Sequence, residues 1–184
     1  MMPVAARQPV PVILALANVA RPRRDAADPA DPFATPECAA SFLQALGGRV
    51  PADDADRHAC AQLAAEVSAL AAAVARHTSL PEPTLINALA AQARGNRLLR
   101  RTHESLRVDT QWDAPTAASD LARRVIEEWE YLDPARLREC ARPACTLVFY
   151  DTTRSGTQRW HAEDPCGWLE RQARHRAKSD PSSI

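Results

Sequence analysis

Lysine is almost absent from this chain: one lysine, Lys178, stands against 22 arginines in 184 residues. Glycine is scarce too, with five. No Gly-rich loop able to cradle phosphate can be assembled from them, and no Gly-x-Ser-x-Gly nucleophile elbow occurs. Phe, Trp and Tyr make up 5% of the chain, and Leu, Ile, Val and Phe together number 34. Any core is therefore modest. Net charge is missing as well, since 23 basic side chains balance 23 acidic ones. That balance excludes a wholly basic nucleic-acid coat protein, a disordered acidic tail and a cationic membrane peptide as descriptions of the whole chain. Low hydrophobicity signals disorder only when net charge is high, so a folded protein is expected. Long apolar runs are lacking: the stretch from Val10 to Ala20 is too short to span a bilayer. It is followed by no small-x-small cleavage site, so a secretory signal is not expected either.

What is present is alanine, 37 of them, in patterns that favour helix. Thr35 before Pro36 is a helix start, with Phe42, Leu43 and Leu46 following and Gly47-Gly48 as the stop. Leu63, Val67, Leu70 and Val74 recur at steps of 4, 3 and 4 and line one face of a helix over 53–77. Cys60 and Cys38 are expected as small buried hydrophobes. Asp53, Asp54 and Asp56 fit a solvated helix N-terminus better than a metal cluster. Thr84 can cap a further helix that ends near Gly95, and Thr116 opens another through Leu121, Val125, Trp129 and Leu132. Segments 97–101 and 105–112 suit a hairpin. Residues 10–19 favour a buried strand by length and β-branching, with helix left open, and 20–35 read as a Pro- and Asp-rich loop.

The chemistry lies from Leu137 to Lys178. Five cysteines, an odd number, do not suit a closed disulfide framework, and three fall close together: Cys140, Cys145 and Cys166. Cys140 and Cys145 are four residues apart in the gap, as are His161 and Cys166, and fifteen residues lie between the pairs. Zinc takes four thiolate or imidazole ligands in a tetrahedron, and two short-spaced pairs are an economical way to build one. Four protein ligands close the coordination sphere, so one structural Zn²⁺ is expected. Between the pairs, Thr146–Tyr150 reads as a strand, Arg154–Thr157 as a turn and Gln158–His161 as the return strand. Asp164-Pro165-Cys166 reads as a capped start of a final helix running to about Lys178. Strands held by zinc and followed by a ligand at a helix start form a treble-clef-like arrangement. Arg171, Arg174, Arg176 and Lys178 follow on that helix, and Arg154 and Arg159 lie on the hairpin. Arginine forks match phosphate geometry, so these six are the candidate DNA contacts.

This segment resembles the CGNR zinc finger family. The likeness rests on Cys140 and Cys145, Phe149-Tyr150-Asp151, Arg154-Ser155-Gly156, Arg159-Trp160-His161, Cys166-Gly167 and the basic run 174–178. His161 stands in place of a cysteine, and Trp168-Leu169 in place of the Asn-Arg of the family name. The family usually carries an N-terminal ABATE domain. Residues 13–19 are similar to its opening, with Asn18 on the matching Asn and Ala15 and Val19 where Asp and Thr are expected. The resemblance implies a stress-induced transcription regulator in which Asn18 belongs to a ligand pocket.

The expected fold is mainly α with small β elements: an Ala-rich, ABATE-like helical domain over 1–134 and a zinc finger over 135–184. The first 134 residues carry 14 basic and 17 acidic groups and the last 50 carry 9 and 6, so the neutral total hides a basic C-terminal segment. The leading reading is a cytoplasmic zinc-containing regulator with DNA as partner, a small-molecule effector of unspecified kind, no membrane role and homo-oligomerisation left open. The alternative is a zinc-stapled protein-interaction or ligand-sensing module. An enzyme is not expected, because His58, His77 and His103 are scattered and a closed zinc site has no place for water.

Overall fold

The computed structural model describes residues 11–19, 31–101, 103 and 105–179, the side chains of residues 11 and 177–179 excepted. Most of the expected 20–35 loop lies outside these residues. The described chain is mainly helical, with two small two-stranded sheets. Helices are α1 (Pro11–Ala17), α2 (Pro36–Ala45), α3 (Asp54–Arg76), α4 (Thr84–Ala90), α5 (Ala117–Glu130) and α6 (Trp168–Ser179). Strands are β1 (Arg94–Arg101), β2 (Leu106–Asp113), β3 (Leu137–Glu139) and β4 (Val148–Tyr150).

The described chain groups into two compact units. One gathers Pro32–Glu66 and Glu82–Tyr131. In it, Thr35 caps α2 by accepting from the Cys38 N–H at 3.3 Å. Gly47, at φ +65°, ends that helix, and the N–H groups of Gly47 and Gly48 donate back to the carbonyls of Gln44 and Leu43. The buried side chains include Phe33, Leu43, Cys60, Leu63, Ile86, Leu121 and Val125. Phe33 meets Phe42 edge to face, centroids 5.6 Å apart. Cys38, expected inside, is exposed on the solvent side of α2, whereas Cys60 is enclosed. Burial, with Asp56 beside it, pushes the Cys60 thiol up to about 12, so it stays neutral.

Long-range caps replace some local ones. Asp56 is buried, not solvated. Its carboxylate accepts from the Ala117 and Ala118 N–H groups at 2.9 and 3.0 Å, while Thr116 and Ser119 close a capping box on the same α5 terminus. The Glu66 carboxylate accepts from the Leu85 N–H at 3.0 Å, so α4 is capped from α3 and not by Thr84. That helix stops at Ala90, and Gly95 belongs to β1.

The other unit comprises α1, Val67–Pro81 and the chain from Leu132 onward. The apolar N-terminal segment is a helix, not the strand that was favoured. Val12, Ile13, Leu16 and Ala17 are fully enclosed, and the Ser68 hydroxyl donates to the Ala17 carbonyl at 2.9 Å. The run Val12–Ala17 is apolar at every position, so its sequence has no period to separate strand from helix. Helix α3 is long and apolar enough to cross a membrane by length and composition alone. In the fold it is a core helix, with Cys60, Leu63, Val67 and Ala71 fully enclosed.

Candidate metal centre

The centre is built from two backbone devices. Strands β3 and β4 pair antiparallel, Leu137 with Tyr150 and Glu139 with Val148. The Cys140 N–H extends the ladder to the Leu147 carbonyl at 2.9 Å, and the Cys145 N–H closes a turn on the Arg142 carbonyl at 2.8 Å. The chain between Cys140 and Cys145 is thereby folded into a tight knuckle. The second pair arrives on a loop and a helical turn. Gln158–His161 was expected as the strand returning on β4, but it is not a strand; β4 takes β3 as its partner instead.

Asp151 holds that loop. Its fully buried carboxylate accepts from the Thr153 N–H (2.9 Å), the Thr153 hydroxyl (2.6 Å) and the Gln158 N–H (2.8 Å), and it faces Arg138 at 3.5 Å. Burial alone raises its pKa. The Thr153, Gln158 and Arg138 interactions together outweigh this and hold it below the ordinary carboxylate value. Arg136 donates to the Asp151 and Thr153 carbonyls at 3.0 and 2.8 Å. Gly156, at φ +62°, makes the expected turn. The Ala141 N–H then reaches the Arg159 carbonyl at 2.8 Å, drawing the His161 segment onto the knuckle.

Cys166 lies in a helical turn, Glu163–Gly167, that precedes α6. Asp164 has extended dihedrals there and does not cap it as expected, and the helix proper begins at Trp168. Gly167 leaves room for a carboxylate, since a Cβ there would sit 2.5 Å from a Glu163 oxygen. Glu163 in turn forms an ion pair with Arg171, which holds Glu163 below its ordinary pKa.

Three thiols and one imidazole converge. The ligating atoms of Cys140, Cys145, His161 and Cys166 all lie within 4.8 Å of one another, with Cys145 Sγ and His161 Nδ1 3.5 Å apart. Zinc–sulfur bonds of about 2.3 Å place tetrahedral vertices about 3.8 Å apart, so the donors fit a single ion. The three cysteines are buried and His161 is half-buried, with Leu147 and Trp160 packed around them. Burial raises the Cys145 thiol to about 12 and raises Cys166 as well, so zinc entry displaces protons. The Cys₃His set is that of one structural Zn²⁺. It has no open position and the site is non-catalytic.

The other predicted residues fall around this centre. Arg154, Arg159, Arg174 and Arg176 are exposed, and Arg159 stacks over Trp160 at 5.4 Å. Arg171 is engaged by Glu163. Lys178 is on α6, but its side chain lies outside the described residues. Arg136 and Arg138, counted in the sequence as part of the basic surplus, point into the finger. Trp168 is exposed. Asn18 meets the finger directly: its amide donates to the Val148 carbonyl and accepts from the Val148 N–H, both at 2.9 Å, and also donates to the Leu14 carbonyl at 2.8 Å. Asp151, Arg136 and Arg138 carry the loop's geometry without having been singled out for it. Phe149-Tyr150-Asp151 was the visible signal.

No curated protein matches the chain. Residues 136–179 match the family model described as CGNR zinc finger, and with the donor cluster inside that span the C-terminal segment is a CGNR zinc-finger domain.

Proposed function

We propose that this chain is a cytoplasmic transcription regulator that contacts DNA through its zinc finger. The observation that carries the reading is the CGNR match over a closed Cys₃His cluster, with Arg154, Arg159, Arg174 and Arg176 exposed beside it. Zinc fixes the knuckle and the start of α6, so these guanidinium groups sit on a preorganised frame and can meet phosphate without first ordering the chain. In this reading residues 1–134 form an ABATE-like domain that responds to a small molecule or sets the oligomeric state, with Asn18 at its junction with β4. The resemblance of residues 13–19 supports that assignment.

The test is DNA affinity of the zinc-loaded chain against salt. Affinity should fall steeply with ionic strength, and Arg174→Ala with Arg176→Ala should reduce the log–log slope by about 2, near 0.9 per phosphate contact. Absence of binding at low salt, or a flat salt response, sinks the reading. A protein-interaction module is the second reading. It is favoured by exposed Trp168 and by a cleft of about 390 Å³ between the knuckle residues Arg142, Pro143 and Ala144 and the α6 residues Leu169, Ala173 and Arg176. Capture of a defined protein partner that Trp168→Ala abolishes, with DNA binding absent, would establish it.

A further inference from the structure

Strands β1 and β2 form a hairpin whose sixteen residues are all exposed. Its charge is mostly of one sign. Five of the 14 basic groups in the first 134 residues stand on these two strands, Arg94, Arg97, Arg100, Arg101 and Arg107, with two of the 17 acidic ones, Asp109 and Asp113. A cationic hairpin is thus set in an otherwise acidic stretch of chain. The register shows how the charges lie. Arg97 opposes Thr110, Leu99 opposes Val108 and Arg101 opposes Leu106, and these pairs share one face. Leu98 opposes Asp109 and Arg100 opposes Arg107 on the other. Arginines therefore occupy both faces. Asp109 pairs with Arg100 at 2.9 Å, and among the described residues no carboxylate pairs with Arg97, Arg101 or Arg107. Like charges directly opposed, as in Arg100 and Arg107, destabilise a strand pair, and a bound anion relieves them. The root of the hairpin is held: the Trp112 ring closes over Gly95, where a Cβ would come within 2.6 Å, and the α5 residue Arg123 stacks on it at 4.9 Å. Beyond the root Leu99, Leu106 and Val108 are each about 60% exposed between the arginines.

We infer that this hairpin is a nucleic-acid arm that seats in the major groove of duplex DNA. Charge selects a polyanion, and the placement of arginines on two faces selects which. An acidic protein surface or an anionic membrane is one-sided. Either would engage Arg97 and Arg101, or Arg100 and Arg107, and leave the other pair in solvent. A DNA groove has a phosphate backbone on each side, so both faces are met at once. Size agrees. The major groove is about 12 Å wide and admits a two-stranded ribbon, and a ribbon with its side chains is about 10 Å thick. The major groove of A-form RNA is too deep and narrow for side chains to read. Arg97 and Arg101 lie four residues, about 13 Å, apart along β1. Phosphates on one DNA strand are spaced by about 3.4 Å along the axis, so the two guanidinium groups reach different ones. The apolar groups fit the same wall: deoxyribose separates its phosphates as Leu99 separates Arg97 from Arg101. The inference extends the proposed DNA contact to a second surface and stands on residues separate from those of the finger.

The test is fluorescence anisotropy of a labelled, mixed-sequence DNA duplex titrated with the full, zinc-loaded chain at a series of salt concentrations. Arg97→Gln, Arg101→Gln and Arg107→Gln combined in one chain should lower affinity tenfold or more at low salt. The log–log salt slope should fall by about 2–3, near 0.9 per phosphate contact. All three positions are exposed, so the circular dichroism spectrum should not change. Lysine at the same three positions keeps the charge and should keep the slope. Lysine and glutamine variants that lose it equally overturn the inference, and so does a glutamine variant with wild-type slope and affinity. Binding to phosphatidylglycerol vesicles that the glutamine variant abolishes, with duplex affinity unchanged, assigns the arm to a lipid surface and also overturns it. The finger is probed separately by Arg174→Ala with Arg176→Ala. A full chain that binds no duplex overturns both readings. A slope lowered by the finger variant and not by the arm variant overturns the arm alone, and the reverse pattern supports the arm and removes the finger.

Discussion

At the residue scale the finger depends on Asp151 almost as much as on its ligands. One carboxylate gathers a hydroxyl, two backbone N–H groups and a guanidinium, and so fixes the loop that delivers His161. Asp151→Asn removes the charge and sets an amide N–H₂ among donors. The expected cost is about 2 kcal/mol, the scale of a charge-assisted hydrogen bond lost from a buried site. The pH dependence has a definite sign. Because the folded pKa is depressed, the carboxylate's contribution is fully present above its unfolded value, about 3.9, and is lost as pH falls through the lower folded value. Urea unfolding of wild type and Asp151→Asn should therefore differ by a constant amount from neutral pH down to about 5 and converge only below about 4. A gap that closes already near neutrality contradicts the assignment. Asn18→Leu tests the other anchor, which is half-buried against the buried Val148. It leaves the Val148 N–H and C=O facing an aliphatic side chain, and should cost about 2–3 kcal/mol in the same measurement.

At the element scale, what was legible in the sequence was what is local. Thr35-Pro36 and Thr116 mark real helix starts, because a cap acts within three residues of itself. The spacing of Leu63, Val67 and Leu70 marks a real core face. The ligand quartet was legible because zinc demands few residue types at short spacing. What failed was chosen by distant partners. Strand β4 pairs with Leu137–Glu139 because that segment runs antiparallel beside it, and nothing in Gln158–His161 announces that Asp151 will hold it as a loop. Asp56 looks like one of three acids at a helix start, yet it lies 61 and 62 residues from the N–H groups it caps. That contact gives a prediction at this scale. Asp56→Ala leaves two α5 N–H groups buried without an acceptor and removes a negative charge from the helix N-terminus. The expected cost is about 3 kcal/mol, with Asp56→Asn about half of that. Hydrogen exchange at residues 117–119 should speed up most. Unchanged protection there would show that Thr116 and Ser119 suffice alone.

At the scale of the whole molecule the neutral total charge conceals two different uses of arginine. In the last 50 residues Arg136 and Arg138 hold the loop, Arg142 lies against the Cys166 thiol and Arg171 pairs with Glu163, which leaves Arg154, Arg159, Arg174 and Arg176 turned outward. The electrostatic surface is thus smaller than the composition suggests, and the zinc centre with three thiolates adds about one negative charge. Zinc also decides which parts of the chain depend on one another. The finger shares its compact unit with α1 and Val67–Pro81, through Asn18 on Val148 and through the paired contacts of Arg76 with Glu139. Zinc binding energy is folding energy for a centre of this kind. Removing the metal with a chelator, or replacing Cys140 or Cys166 by serine, should therefore release more than residues 137–178. Hydrogen exchange should rise in 137–178 and also in α1, whose last turn loses its hold on β4, while α5 keeps its protection because Asp56, Thr116 and Ser119 are untouched. Metal content measured alongside gives the control: each serine variant should lose its zinc. A chelated protein in which α1 stays as protected as before would show that the N-terminal helix needs no finger, and undiminished zinc in Cys166→Ser would remove that residue from the ligand set.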